Sequence, residues 1–292
     1  MRNDTVSPIG FNPTFDVEVI RRALAEDIGR GDVTTEATIP AGTQATARIV
    51  ARQGGVIAGL PVAQIVLRLL DEDLHFETPV QDGARVEPGA TLAHIRGDAR
   101  AILTGERTAL NFLGRLSGVA TLAKRCADAV AATNAQIVDT RKTTPGLRTL
   151  EKYAVRQGGA SNHRAGLDDG VLIKDNHIAA AGGVTAAIER ARAYGSHLLR
   201  IEVECDTEEQ VQEAVRAGAE VILLDNMPPD RLRENVAWIR EHAPRTLIEA
   251  SGGIGTDPAT LAAVAATGVD LISIGALTHS APNFDVSLEF DA

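Results

Sequence analysis

Six short apolar segments in the second half of the chain, centred near residues 137, 172, 201, 222, 248 and 272, each run directly into charged, hydroxyl or glycine residues. Continuous Val/Ile/Leu-rich runs of this length are how a strand buried on both faces reads. The segments recur at intervals of roughly 20 to 35 residues, the length of a strand plus a crossover helix. Helices are predicted between them over residues 184–194, 207–217, 230–242 and 258–266, several with Thr or Asp at the N-cap position. Repeated βα units of this kind close into a parallel sheet with right-handed crossovers. A complete α/β barrel needs eight such units and about 250 residues. Six therefore predict an incomplete parallel α/β barrel, with an open doubly wound sheet as the alternative. Chemistry at six successive strand ends favours the barrel.

Four strand ends carry charge: Asp139-Thr140-Arg141-Lys142, Lys174-Asp175-Asn176-His177, Glu202-Val203-Glu204 and Asp225-Asn226. The last two strands end in Ser251-Gly252-Gly253 and Ser273-Ile274-Gly275. In parallel α/β folds the carboxyl ends of the strands hold the active site, and glycine turns on the last two strands commonly hold phosphate. Arg141 and Lys142 directly follow a buried strand, and Thr143-Thr144-Pro145-Gly146 forces a turn, so both point to the rim. Glu202 and Glu204 are two apart on a strand and face one side. Two carboxylates aimed into a barrel are costly unless they meet cations or polar ligand groups. Asp225 reads either as a site carboxylate or as a cap for the following helix, and His163 either as a ligand contact or as a structural imidazole. Of the 29 basic residues only Lys124, Lys142, Lys152 and Lys174 are lysine. Two of these four stand at strand ends, where a compact ammonium does what a planar guanidinium does not. Together these features imply an enzyme for an anionic, phosphorylated substrate.

The chain divides near residue 117, giving an N-terminal α/β sandwich-like domain over 1–116, the barrel over 117–280, and a tail over 281–292 expected to return to the first domain. In the first part, residues 15–27 have helical periodicity with Phe15, Val19, Ala23 and Leu24 on one stripe. Residues 43–58 read as one or two strands, and Pro61 opens a helix through Leu70. Residues 76–95 form a small β-unit, and 101–130 are helical with Gly105, Gly114 and Gly118 as weak points. The β-unit resembles a lipoyl- or biotinyl-carrier hairpin, but no lysine precedes Lys124, which excludes a carrier. A net charge of −10 argues against nucleic acid and means that an anionic ligand needs a local cluster of cations. No apolar run is long enough for a membrane span, and residues 1–8 lack the apolar core of a signal peptide. Cys126 and Cys205 make no metal spacing or disulfide framework and fit a reducing cytoplasm.

At one level the sequence is more specific. Asp139-Thr140-Arg141-Lys142-Thr143-Thr144-Pro145-Gly146-Leu147-Arg148 is followed by Glu151-Lys152-Tyr153-Ala154-Val155, Gly158-Gly159, Asn162-His163-Arg164, Asp168-Asp169 and Lys174-Asp175-Asn176-His177. Glu202-Val203-Glu204, Leu224-Asp225-Asn226, Glu249-Ala250-Ser251-Gly252-Gly253 and Ser273-Ile274-Gly275 come after them in that order. With Glu26-Asp27-Ile28-Gly29-Arg30-Gly31-Asp32-Val33-Thr34-Thr35 and Gly105-Glu106-Arg107-Thr108-Ala109-Leu110-Asn111, the series resembles quinolinate phosphoribosyltransferases across nearly the whole chain.

The resemblance implies phosphoribosyl transfer from phosphoribosyl pyrophosphate to quinolinate with decarboxylation. Arg107, Arg141, His163, Arg164 and Lys174 would bind the two carboxylates, with Arg107 reaching in from a neighbouring subunit. Lys142 and Lys174 would face the pyrophosphate, Thr140 would join the substrate contacts, and Ser251, Gly252, Gly253, Ser273, Ile274 and Gly275 would cradle phosphate. Lys142, Lys174, Glu204 and Asp225 would be the catalytic set, Glu204 and Asp225 also holding Mg²⁺ that arrives with phosphoribosyl pyrophosphate. No organic cofactor is implied, and the active unit would be at least a dimer with shared sites. A nicotinate phosphoribosyltransferase is the alternative within enzymes, though one carboxylate would not require so many cations.

Overall fold

The computed structural model describes residues 13–291. The signal-peptide reading of residues 1–8 lies outside them, as does the side chain of Phe15. The chain forms two compact units. The first comprises the chain up to Lys124, Thr143–Gly159 and the chain from Thr278 onward; the second comprises Arg125–Lys142 and Ala160–Leu277. The division is not a single cut along the chain: Thr143–Gly159 and the residues from Thr278 onward join the first unit, and residue 117 lies inside one uninterrupted helix.

The first unit begins with α1 (Pro13–Ile28) and α2 (Val33–Thr38), the latter capped by the Asp32 carboxylate accepting from the Thr35 N–H at 2.9 Å. β1 (Gln44–Ala51) and β2 (Gly55–Val56) precede α3 (Leu60–Arg68); β3 (His75–Glu77), β4 (Arg85–Val86) and β5 (Thr91–Asp98) follow. The chain's last strand, Val286–Phe290, pairs antiparallel with β1, which pairs with β5 and that with β3. One face of this sheet is polar (Thr46, Arg48, His94, Arg96), while Ala47, Ile49 and Ile95 are buried. That alternation is expected of an antiparallel sheet wet on one side.

α4 (Ala99–Val130) runs 32 residues without a break. Its glycines are approach points, not the weak points expected from propensity. A Cβ on Gly118 would lie 2.0 Å from the Pro282 carbonyl oxygen, and one on Gly114 2.8 Å from that of Phe284. α5 (Arg148–Gln157) escaped the periodicity argument because it buries six consecutive residues, two of them charged. Glu151, fully buried, accepts from Arg115 at 2.7 Å and from the Thr144 hydroxyl and N–H. Neutralised in this way, a buried carboxylate sits on an inward face where sequence pattern expects an apolar side chain.

The second unit is a six-stranded parallel sheet: β6 (Gln136–Val138), β7 (Val171–Ile173), β8 (Ile201–Cys205), β9 (Val221–Asp225), β10 (Leu247–Ser251) and β11 (Leu271–Ser273). All six match the predicted segments. Between strands lie α6 (Asp175–Ala181), α7 (Val184–Tyr194), α8 (Glu208–Arg216), α9 (Pro229–His242) and α10 (Pro258–Ala265). Thr207 and Asp257 cap α8 and α10 as their positions suggested. The strand order is β6-β11-β10-β9-β8-β7. Every neighbour is consecutive in the chain except that the first strand pairs with the last, which is the cyclic order of a barrel and not that of a doubly wound sheet. The cycle is open only between β6 and β7. There Ser161 bridges to β6, its N–H donating to the Ile137 carbonyl at 2.9 Å and its carbonyl accepting from the Asp139 N–H at 3.2 Å.

Candidate active site

A cleft of about 500 Å³ opens at the carboxyl ends of these strands. After β6 come Thr140, Arg141 and Lys142, with the Thr140 hydroxyl accepting from the Lys142 N–H at 3.0 Å. The segment that fills the open seam brings His163 and Arg164. Asp139, fully buried, holds that segment: its carboxylate accepts from the His163 N–H at 2.8 Å and from the Asn162 amide at 2.6 Å. Lys174 stands at the N-cap of α6 and donates to Glu204, which lies on β8. Asp225 ends β9, Ser251 ends β10 with Gly252 and Gly253 following it, and Ser273 ends β11.

The chemistry at this rim is uneven. Burial, then the charge of Arg141, disfavours the charged form of Arg164. The Nε of Arg141 and that of Arg164 are both buried and have no hydrogen-bond partner. Two cationic donors left unsatisfied is a costly arrangement that a bound anion relieves. On the opposite side, Asp225 is pushed above the usual carboxylate range by burial and by Glu204 and Asp206, against Lys174 and Lys142. The cleft thus has a cationic side and a carboxylate side.

Gly252 and Gly253 have φ of +86° and +62°, a region that favours glycine. A Cβ on Gly252 would meet Asn226 Oδ1 at 2.3 Å. Asn226 itself is left-handed (φ 54°), the only such non-glycine among the described residues; it donates to Asp225 and to the Ser251 carbonyl. This tight join of the β9 and β10 ends leaves the glycine turn facing the cleft without side chains.

The family model for the quinolinate phosphoribosyl transferase C-terminal domain matches residues 119–289, and that for the N-terminal domain matches residues 32–117. The chain belongs to the quinolinate phosphoribosyltransferase family. It is 47% identical to the nicotinate-nucleotide pyrophosphorylase [carboxylating] of Mycobacterium leprae, covering 93% of this chain and 96% of that protein. It is 46% identical to a probable enzyme of the same name from Synechocystis sp., covering 92% and 90%. The solved nicotinate-nucleotide pyrophosphorylase of Francisella tularensis superposes with a TM-score of 0.91 at 35% identity, covering 98% of this chain and all of the other. A human nicotinic acid phosphoribosyltransferase shares the fold at 16% identity and a TM-score of 0.60. Fold alone therefore does not separate the two enzyme types.

Twelve of the fifteen residues expected at the phosphoribosyltransferase site line the cleft, and three do not. Arg107 is exposed on α4 in the first unit. Ile274 is buried, and its N–H donates to the Val138 carbonyl at 3.0 Å, so it serves the β6–β11 pairing and is not free for phosphate. Gly275 does not line the cleft. His163 lines the cleft and is also held by the protein. Its Nδ1 accepts from the Arg164 N–H at 2.7 Å, and its Nε2 lies 3.1 Å from Glu202 and 3.7 Å from Glu249. Both ring nitrogens therefore have protein groups beside them. Glu249 and Asn226 line the cleft but were not among the expected site residues. A charged residue inside the apolar run 247–250 was the signal for Glu249, since a carboxylate in a buried strand has a cost that must be met.

Proposed function

We propose that the cleft seats quinolinate on its cationic side and phosphoribosyl pyrophosphate across its carboxylate side and glycine turns. The chain then carries out its family's reaction: phosphoribosyl transfer to quinolinate with loss of CO₂, yielding nicotinate mononucleotide and pyrophosphate for NAD synthesis. The unpartnered, buried Nε groups of Arg141 and Arg164 carry this reading. Two such donors on neighbouring guanidinium groups match a rigid dicarboxylate better than a single carboxylate.

Lys142 and Lys174 face the pyrophosphate and favour its departure. Positive charge then grows on the ribose ring, and Glu204 and Asp225 are placed to stabilise it. Attack by the pyridine nitrogen leaves a pyridinium, whose charge stabilises the carbanion formed as the adjacent carboxylate departs as CO₂, and a proton from solvent then adds to that ring carbon to give nicotinate mononucleotide. The substrate is its own electron sink, and the reaction needs no organic cofactor. Glu204 and Asp225 are hard oxygen donors, and burial and then the charge of Glu204 raise Asp225, a strain that a bound Mg²⁺ would relieve. Glu204 and Asp225 would be the carboxylates to hold a magnesium ion arriving with pyrophosphate, and the ion would supply positive charge towards the leaving group.

The enzyme works as a homodimer or larger assembly in which Arg107 of one protomer completes the quinolinate subsite of another. Its exposed position on a long helix supports this. A cytoplasmic location fits two buried, unpaired cysteines, and no helix among the described residues is long and apolar enough to cross a membrane. The test is direct: supply phosphoribosyl pyrophosphate, Mg²⁺ and either carboxyl-labelled quinolinate or nicotinate. Nicotinate mononucleotide and labelled CO₂ are expected from quinolinate alone. Turnover of nicotinate at a comparable rate would point to the alternative enzyme.

A further inference from the structure

His163, Glu202 and Glu249 form a cluster that the proposed reaction does not use. Their nearest ligand-type atoms lie within 4.8 Å of one another. Glu249 is 1% exposed and Glu202 7%. Each has an Oε1 with no hydrogen-bond partner. His163 Nδ1 accepts the Arg164 N–H at 2.7 Å, and its Nε2 faces Glu202 at 3.1 Å and Glu249 at 3.7 Å. If both carboxyls were ionised, two negative charges with orphaned oxygens would sit side by side in a dry interior, beside a cleft meant for an anion. One proton between the two carboxyls removes that conflict, because the protonated one becomes a donor to the other.

We propose that Glu249 is a positioning residue that carries a proton whenever the dicarboxylate is bound, so that the cluster presents one negative charge to the substrate instead of two. The proposal rests on quinolinate binding at Arg141 and Arg164. The surroundings of Glu249 are consistent on every side. β8 presents Glu202, the seam presents His163, β11 presents the Ser273 hydroxyl, and β9 places apolar Leu223 beside it in register. Burial first, and then Glu202, lift the Glu249 carboxyl to about 7, with His163 and Ser273 pulling the other way. The sign follows. In the free protein the proton is held below about pH 7 and lost above it. A bound dianion favours the neutral form and raises the value further, so above pH 7 binding must take up a proton. Quinolinate affinity then falls as pH rises through this window, by up to about tenfold per pH unit.

Calorimetric titration of quinolinate into the full-length protein at pH 8, in buffers of different ionisation enthalpy, counts the protons taken up. Wild type should take up close to one per site. In Glu249→Gln uptake should vanish and affinity should be flat from pH 6.5 to 8.5. In Glu202→Gln, Glu249 loses its repelling neighbour and uptake should fall below half of the wild-type number, which decides the matter if the first variant does not fold. Undiminished uptake in either folded variant would assign the proton to another group, His163 foremost, and overturn the proposal. So would a stoichiometric divalent ion in purified wild type that is lost in Glu249→Gln. Binding of phosphoribosyl pyrophosphate without any binding of quinolinate to wild type would instead overturn the site reading itself.

Discussion

At the scale of single residues, the two guanidinium groups beside the cleft define its chemistry most sharply. Arg141 and Arg164 each present a buried Nε without a partner, and burial and then the charge of Arg141 weaken Arg164's hold on its own charge. An anionic ligand supplies the missing acceptors, and a charge-assisted hydrogen bond contributes about 1.5–3 kcal/mol. Arg141→Ala and Arg164→Ala should therefore weaken quinolinate binding by roughly 10- to 150-fold. Binding of phosphoribosyl pyrophosphate should change far less, and titration of each ligand separately reads the difference. Equal losses for both ligands would mean that the two subsites are wrongly assigned. Asp139 acts in the same neighbourhood without facing the substrate. Its buried carboxylate fixes the backbone that carries His163, and that backbone delivers Arg164.

At the scale of elements, the informative features are a seam and a helix. The seam between β6 and β7 is where two strands of a full barrel would stand, and the segment around Ser161 occupies one edge of it. An irregular segment can be aimed in ways a strand cannot, and this one turns His163 and Arg164 into the cleft. The helix α4 shows how glycine in a helix interior is compensated. Gly118 costs about 1 kcal/mol in propensity relative to alanine. Its lack of a Cβ lets the carbonyl of Pro282 approach to a point a methyl group would occupy. Gly118→Ala should improve local helix propensity yet destabilise the protein, because the added carbon displaces backbone and not a flexible side chain. Overpacking of this kind costs about 1–3 kcal/mol, so Tm should fall by on the order of 5 °C. A variant as stable as wild type would show that the 282–284 segment yields without loss.

At the scale of the whole molecule, the proposed assembly is tested by complementation. Arg107 is exposed in the first unit, while Lys174 belongs to the cleft of the second. If sites are shared between protomers, Arg107→Ala and Lys174→Ala proteins are each inactive alone. Mixing them under conditions of demonstrated subunit exchange should restore part of the activity, since some sites then combine an intact Arg107 with an intact Lys174. Two-fold pairing is the commonest symmetry for soluble oligomers, and it generates both mixed and doubly altered sites. No recovery despite exchange would place Arg107 in its own protomer's site or in none.

The barrel strands, their order along the chain and most of the rim were legible in the sequence because they are local signals. A buried strand is a short apolar run, a cap is one residue, and the charge that follows a strand sits at its end whatever the strand pairs with. Thr140, Arg141, Lys142, Lys174, Glu204, Asp225 and the Gly252–Gly253 turn could all be placed in this way. Tertiary structure alone decided what depends on distances between residues far apart in the chain. It put the first barrel strand beside the last, turned Ile274 into a pairing residue, and made Gly118 a contact for Pro282. It also brought Glu202 and Glu249 together around His163. Periodicity reports which face a residue occupies; which charge stands opposite it, and so whether a buried carboxyl is ionised, is a property of the folded interior.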